Sequence, residues 1–113
     1  MNRYDDPKTI PTEVATEAAV ALRRINEPSN SIPLNGCGRV YVMIGYSKML
    51  KSHAVAKVLA SMGFKLFPRP NFSGLALYVG YDNATGYQWS LAHEYAETLK
   101  GYGIVAYADV DGD

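Results

Sequence analysis

The sequence predicts an α+β domain in which a helix is followed by strand, helix, strand, strand, helix, strand. Three features carry that expectation. Arg39-Val40-Tyr41-Val42-Met43-Ile44-Gly45-Tyr46 is the most β-prone run in the chain and leads straight into a helical pattern, so it reads as the central strand. Gly74 to Tyr81 is a second strong strand. Apolar residues recur at helical spacing in three other stretches, each of which has to bury a stripe against a shared layer.

The bulk numbers bound the answer. With 113 residues, 48% of them hydrophobic, the chain has the size of one domain with a real core. Cys37 is the single cysteine, so no internal disulfide forms and a reducing, cytoplasmic home is expected. Met1 to Pro11 is polar and carries Asp5 and Asp6, unlike a signal peptide. No run reaches the roughly 20 apolar residues of a membrane helix, so no membrane contact is expected. A net charge of zero argues against wholesale electrostatic binding to nucleic acid or anionic lipid. The distribution is uneven, however. Pro28 to Tyr81 contains no acidic residue but holds Arg39, Lys48, Lys51, Lys57, Lys65 and Arg69. Asp82 to Asp113 holds Asp82, Glu94, Glu97, Asp109, Asp111 and Asp113 against Lys100 alone.

Taken in order, residues 1 to 11 read as a loose arm, followed by a helix from Thr12 to Asn26 with Val14, Ala18, Ala21, Leu22 and Ile25 on one face. Pro28 stops it. Glu27 to Gly38, with two prolines and two glycines, reads as a linker, which divides the chain into an arm (1–35) and a main domain (36–113). After the central strand, Ser47 reads as the N-cap of a helix that buries Leu50, Ala54, Val55, Val58, Leu59 and Met62 and ends at Gly63. His53 and Lys57 point outward. Phe64 to Phe67, halted by Pro68 and Pro70, reads as an edge strand, and Asn71 to Ser73 as a turn. Thr85 with Gln88 fits a capping box for a helix that buries Tyr87, Leu91, Ala92, Tyr95, Ala96 and Leu99. Gly101 or Gly103 ends it. Ile104 to Ala108 is the last strand and Asp109 to Asp113 a solvated tail.

Over about residues 39 to 110 this order resembles the ferredoxin-like βαββαβ fold. The resemblance implies an antiparallel sheet of order 4-1-3-2 with both of its helices on one face. It also implies one basic and one acidic flank. Val40 to Gly45 looks like the first-strand signature of the RNA-recognition-motif family, with Tyr41 at the base-stacking position. The third strand departs from that family, since Ser73, Leu75 and Leu77 stand where it has a basic residue and two aromatics, removing stacking platforms. With Val40, Val42 and Ile44 facing the helices, Tyr41 and Met43 face away, and Tyr78 lies beside Tyr41. Such rings mark a surface to be covered by the arm helix, a second copy or a foreign protein.

Other motifs read as bland. His93-Glu94-Tyr95-Ala96-Glu97 has Glu97 where a zinc helix needs its second histidine. Asp109 to Asp113 opens like a calcium loop but lacks the closing glutamate. Gly45-Tyr46-Ser47-Lys48, with Lys51 nearby, is a strand-to-helix junction suited to a phosphate or carboxylate, without P-loop spacing. Cys37 lies between Gly36 and Gly38 and reads as a bystander thiol. No cofactor or metal is expected.

These readings favour a non-catalytic protein-binding protein whose partner meets Tyr41, Met43, Tyr78, Lys48, Lys51 and Lys57. In size and lack of catalytic residues it resembles inhibitors from phages and mobile elements, among which anti-CRISPR proteins often have ferredoxin-like folds. One alternative is a single-stranded nucleic-acid binder using Tyr41, Tyr78 and the lysines. Another is a small-ligand or enzymatic domain with a pocket at His93, Glu94 or Cys37. Contact between opposite flanks, or sheet-to-sheet pairing, would make a homo-oligomer.

Overall fold

Alternation along the central strand organises the molecule. Val40, Val42 and Ile44 are buried together with Leu75 and Leu77 of the neighbouring strand under the helices, whereas Tyr41, Met43 and Tyr78 project to the other side. The computed structural model describes residues 3–69 and 71–112. Its elements are a 3-10 turn Pro7–Thr9, α1 Thr12–Arg23, β1 Cys37–Ile44, α2 Ala54–Ser61, β2 Lys65–Pro68, β3 Leu75–Asn83, α3 Tyr87–Gly101 and β4 Ala106–Gly112. The four strands form one sheet in the order β2-β3-β1-β4, with every neighbouring pair antiparallel. The described residues thus form a mixed α and β structure with three α-helices and a four-stranded antiparallel sheet. Pro70 and Asp113, read as a strand stop and the chain's last acidic residue, lie outside the described residues, as do Met1 and Asn2.

The N-terminal arm is docked rather than loose. Tyr4 forms a parallel bridge with Ile104, and the Tyr46 amide donates to the Asp5 carbonyl at 2.8 Å. Pro7 is buried against Gly45, where φ is +79° and a Cβ would come within 2.5 Å of the proline ring. Glycine alone meets both demands. Of the predicted inner face of α1, Ala18 and Leu22 are buried and Val14 and Ile25 pack against the core, while Ala15 and Ala19 extend the face and Ala21 is only half-buried. Small alanines let α1 approach α2 and α3 closely. α1 therefore joins the helical layer and shares its core with the sheet residues, leaving the opposite sheet face uncovered by it.

Three further expectations are corrected. The helix expected from Ser47 begins at Ala54, because the chain first runs beside β3: Met49 forms a bridge with Leu75, whose amide donates to the Met49 carbonyl at 2.8 Å. Met49 is consequently buried and Leu50, expected inside, is 41% exposed. The Thr85–Gln88 capping box gives way to Asp82, whose carboxylate accepts from the Thr85, Gly86 and Trp89 amides and the Thr85 hydroxyl. Tyr87, at the helix start, is exposed. The tail expected from Asp109 is strand: β4 runs on to Gly112, paired residue by residue with β1.

Candidate binding surface on the open sheet face

A bulge aligns the two central tyrosines. Val40 pairs with Gly80 but Tyr41 pairs with Tyr78, leaving Val79 as the extra residue on β3. The rings of Tyr41 and Tyr78 meet at 5.4 Å between centroids, and Phe67 of β2 adds a third ring 5.6 Å from Tyr78. The β2–β3 connection folds back over this row. Arg69, 5% exposed, sends its guanidinium across β1 to the far edge strand. Its Nη1 donates to Asp109 Oδ2 at 2.7 Å, and its Nη2 donates to Asp111 Oδ1. The guanidinium lies between the rings of Tyr41 (4.9 Å) and Phe72 (4.4 Å). Phe72, Arg69, Tyr41, Tyr78 and Phe67 thus form one continuous row of contacts, its ring pairs tilted at 56° and 57°, whose two end rings stay exposed.

One guanidinium faces two carboxylates here, which leaves one negative charge in excess. Burial, the largest single influence, works against the charged guanidinium, but the hydrogen bonds and charges of Asp111 and Asp109 outweigh it and hold the Arg69 pKa above its ordinary value. Arg69 Nε and Asp111 Oδ2 have no partner among the described residues. Sheet order does place β2 and β4 at opposite edges, as the predicted basic and acidic flanks require. Arg69 nevertheless reaches from the basic half into the acidic one, and Asp82 is consumed as a cap. The acidic flank is thereby reduced chiefly to Glu94, which accepts from the Ser29 amide, and Glu97, which is paired with Lys100.

The predicted site residues separate into three groups. Tyr41, Met43 and Tyr78 come together on the open face, but Tyr41 is only 3% exposed beneath Arg69, so it offers no free stacking platform. Lys48 and Lys51 are exposed on the loop before α2, near Met43 and Phe72 respectively. Lys57 lies exposed on α2 and lines none of the hollows on this side. Sequence reasoning missed Arg69, Phe67, Phe72, Asp109 and Asp111 as members of the surface. One signal was available: Asp109 and Asp111 are two apart, the spacing that puts both on one side of a strand.

The remaining chemical candidates divide. His93 packs edge-on against Trp89 at 4.4 Å, and burial first, then Lys100, lowers its pKa against the opposing pull of Glu97, while its Nε2 has no partner among the described residues. With Ser90, Glu94 and Glu97 it lines a hollow of about 460 Å³, the kind of pocket the small-ligand alternative calls for. The Ser90 hydroxyl is engaged with the Ile32 and Gly86 backbone, and Cys37 Sγ donates to Asn83 Oδ1 at 3.1 Å. Among the described residues no group of three or more His, Cys, Asp or Glu is placed to hold a metal ion, and no helix is long and apolar enough to cross a membrane. Comparison with protein-family models, with curated proteins and with solved structures finds no match to this chain.

Proposed function

We propose that the chain is a non-catalytic protein-binding domain of ferredoxin-like arrangement that docks a partner protein on the open face of its sheet. The fold assignment is supported by the order β2-β3-β1-β4, which read from the β4 edge is 4-1-3-2, and by α2 and α3 lying on one side. The binding assignment rests on one observation: the row held by Arg69 presents Phe67 and Phe72 as exposed rings on an already ordered base. Aromatic and arginine side chains fixed before binding lose little freedom on association and make the strongest interface anchors. Inhibition of the phage or mobile-element kind is the narrowest form of this proposal. The nucleic-acid alternative is disfavoured by two features of the same face, the covering of Tyr41 and the carboxylates of Asp109 and Asp111.

Quantitative affinity capture from cells expressing the chain, comparing the parent with Phe67→Ala/Phe72→Ala, tests the reading. A partner retained by the parent and reduced about tenfold or more by the double variant is expected. Equal capture by both proteins overturns it. Stacking-dependent binding of single-stranded RNA or DNA in a fluorescence titration would promote the nucleic-acid alternative in its place.

A further inference from the structure

Among the described residues, four of the seven large apolar side chains left exposed, Tyr46, Leu50, Phe72 and Tyr107, gather around two adjoining hollows. Both hollows use Phe72 to Leu75 as a common wall and reach down to Met49. One, about 210 Å³, has Met43 and Tyr107 along it and Lys48 at its rim. The other, about 180 Å³, is bounded by Leu50, Pro68 and Lys51. The wall is fixed in place, because the Leu75 amide is bonded to Met49 and a Cβ on Gly74 would come within 2.6 Å of the Lys48 Cβ.

Size and charge select the occupant. Each hollow is smaller than the roughly 300–1,000 Å³ of ordinary small-molecule sites, and suits one or two bulky side chains instead. The walls of the second hollow, Leu50, Pro68 and Phe72, favour an apolar anchor, while the first adds Ser47 and Ser73 to its Met43 and Tyr107 and suits a bulky ring with a polar end. Lys48 and Lys51 are exposed and form no ion pair among the described residues. We infer that the paired hollows take an acidic peptide segment of the partner protein, with bulky apolar side chains entering the hollows and carboxylates lying against Lys48 and Lys51. This inference rests on the protein-binding reading and names the chemistry of its partner. Opposite charge would speed the encounter and fix the register, while the apolar anchors hold the complex.

Selection from a random peptide display library on the immobilised full chain provides the test, with the enriched sequences synthesised and measured by fluorescence anisotropy. Enriched peptides are expected to carry an excess of Asp and Glu around at least two bulky apolar residues. Lys48→Glu/Lys51→Glu and, separately, Leu50→Ser/Phe72→Ala should each weaken them about tenfold or more, with circular dichroism showing each variant folded. Added salt should weaken the parent complex as well. No enrichment, enrichment of neutral or basic peptides, or unchanged binding to the Lys48→Glu/Lys51→Glu protein overturns the inference. Peptides that depend on Phe67 and Tyr78 but ignore both lysines overturn it while leaving the protein-binding reading standing. A partner captured equally by the parent and Phe67→Ala/Phe72→Ala removes that reading itself.

Discussion

Asp82 and Arg69 are both charged side chains taken out of water, one on each side of the same sheet, and they are stabilised by different kinds of partner. Asp82 is fully buried and receives four hydrogen bonds from groups three to seven residues further along, three of them backbone amides at the start of α3. Arg69 is matched by Asp109 and Asp111, 40 and 42 residues away, and by two aromatic rings. The first arrangement satisfies amides that any helix leaves free, so its partners cannot be substituted away. The second consists of side chains only, and every member can be replaced. The two charges should accordingly differ in whether a compensating change can rescue their loss.

The largest effect is expected at Asp82. Asp82→Ala strands the Thr85, Gly86 and Trp89 amides in or near the core, at a cost of about 3 kcal/mol. The thermal midpoint should fall by roughly 10 °C. pH dependence sharpens the point. Burial, the largest influence, pushes this carboxyl up, but the amides of Gly86, Trp89 and Thr85 with the Thr85 hydroxyl pull it further down, so its folded pKa lies below the ordinary 3.8. A depressed carboxyl contributes stability that is complete above its unfolded pKa and lost as pH falls through the folded one. Urea midpoints measured from about pH 5 down to 3 should therefore drop in the parent and flatten in Asp82→Asn. Parallel acid limbs would show that Asp82 is not the group responsible.

A smaller loss, about 2 kcal/mol, is expected for Arg69→Met. Removing one partner of a buried ion pair costs about 3–5 kcal/mol in general. Asp109 and Asp111 retain 38% and 21% exposure, so water screens part of what is left unpaired. Arg69→Met/Asp109→Val/Asp111→Val should return to within about 1 kcal/mol of the parent, because an apolar replacement of a whole ion network is often neutral. A triple variant no more stable than the single one would mean that the carboxylates matter to β4 beyond their bond to Arg69.

The contrast between these charges also explains what the sequence made legible. Strand and helix identity followed from periodicity, and the inward set Val40, Val42 and Ile44 was correct because alternation in a half-covered sheet leaves no other choice. The start of α3 was placed by Thr85, but the acceptor came from the end of β3, outside the local capping pattern. Arg69 was read as one more cation of a basic flank, since nothing local announces a partner 40 residues ahead. The tail was misread for the same reason: Asp109 and Asp111 look solvated until Arg69 faces them. Of the partner surface, the orientation of Tyr41, Met43 and Tyr78 was readable, whereas the covering of Tyr41 depends on the path of the β2–β3 connection.

The smallest expected effect separates the two accounts of the segment before α2. A helix starting after Ser47 puts Leu50 in its buried stripe, where truncation would cost about 2–5 kcal/mol. The observed bridge between Met49 and Leu75 instead turns Met49 inward and Leu50 outward, with the Leu50 amide donating to His53 Nδ1 at 3.2 Å. Leu50→Ser should then change stability by less than about 0.5 kcal/mol, as exposed substitutions generally do. Met49→Ala, made alongside it and measured by the same urea titration, fixes the scale of a truly buried neighbour. A loss at Leu50 rivalling that at Met49 would restore the longer helix and close the second hollow with it.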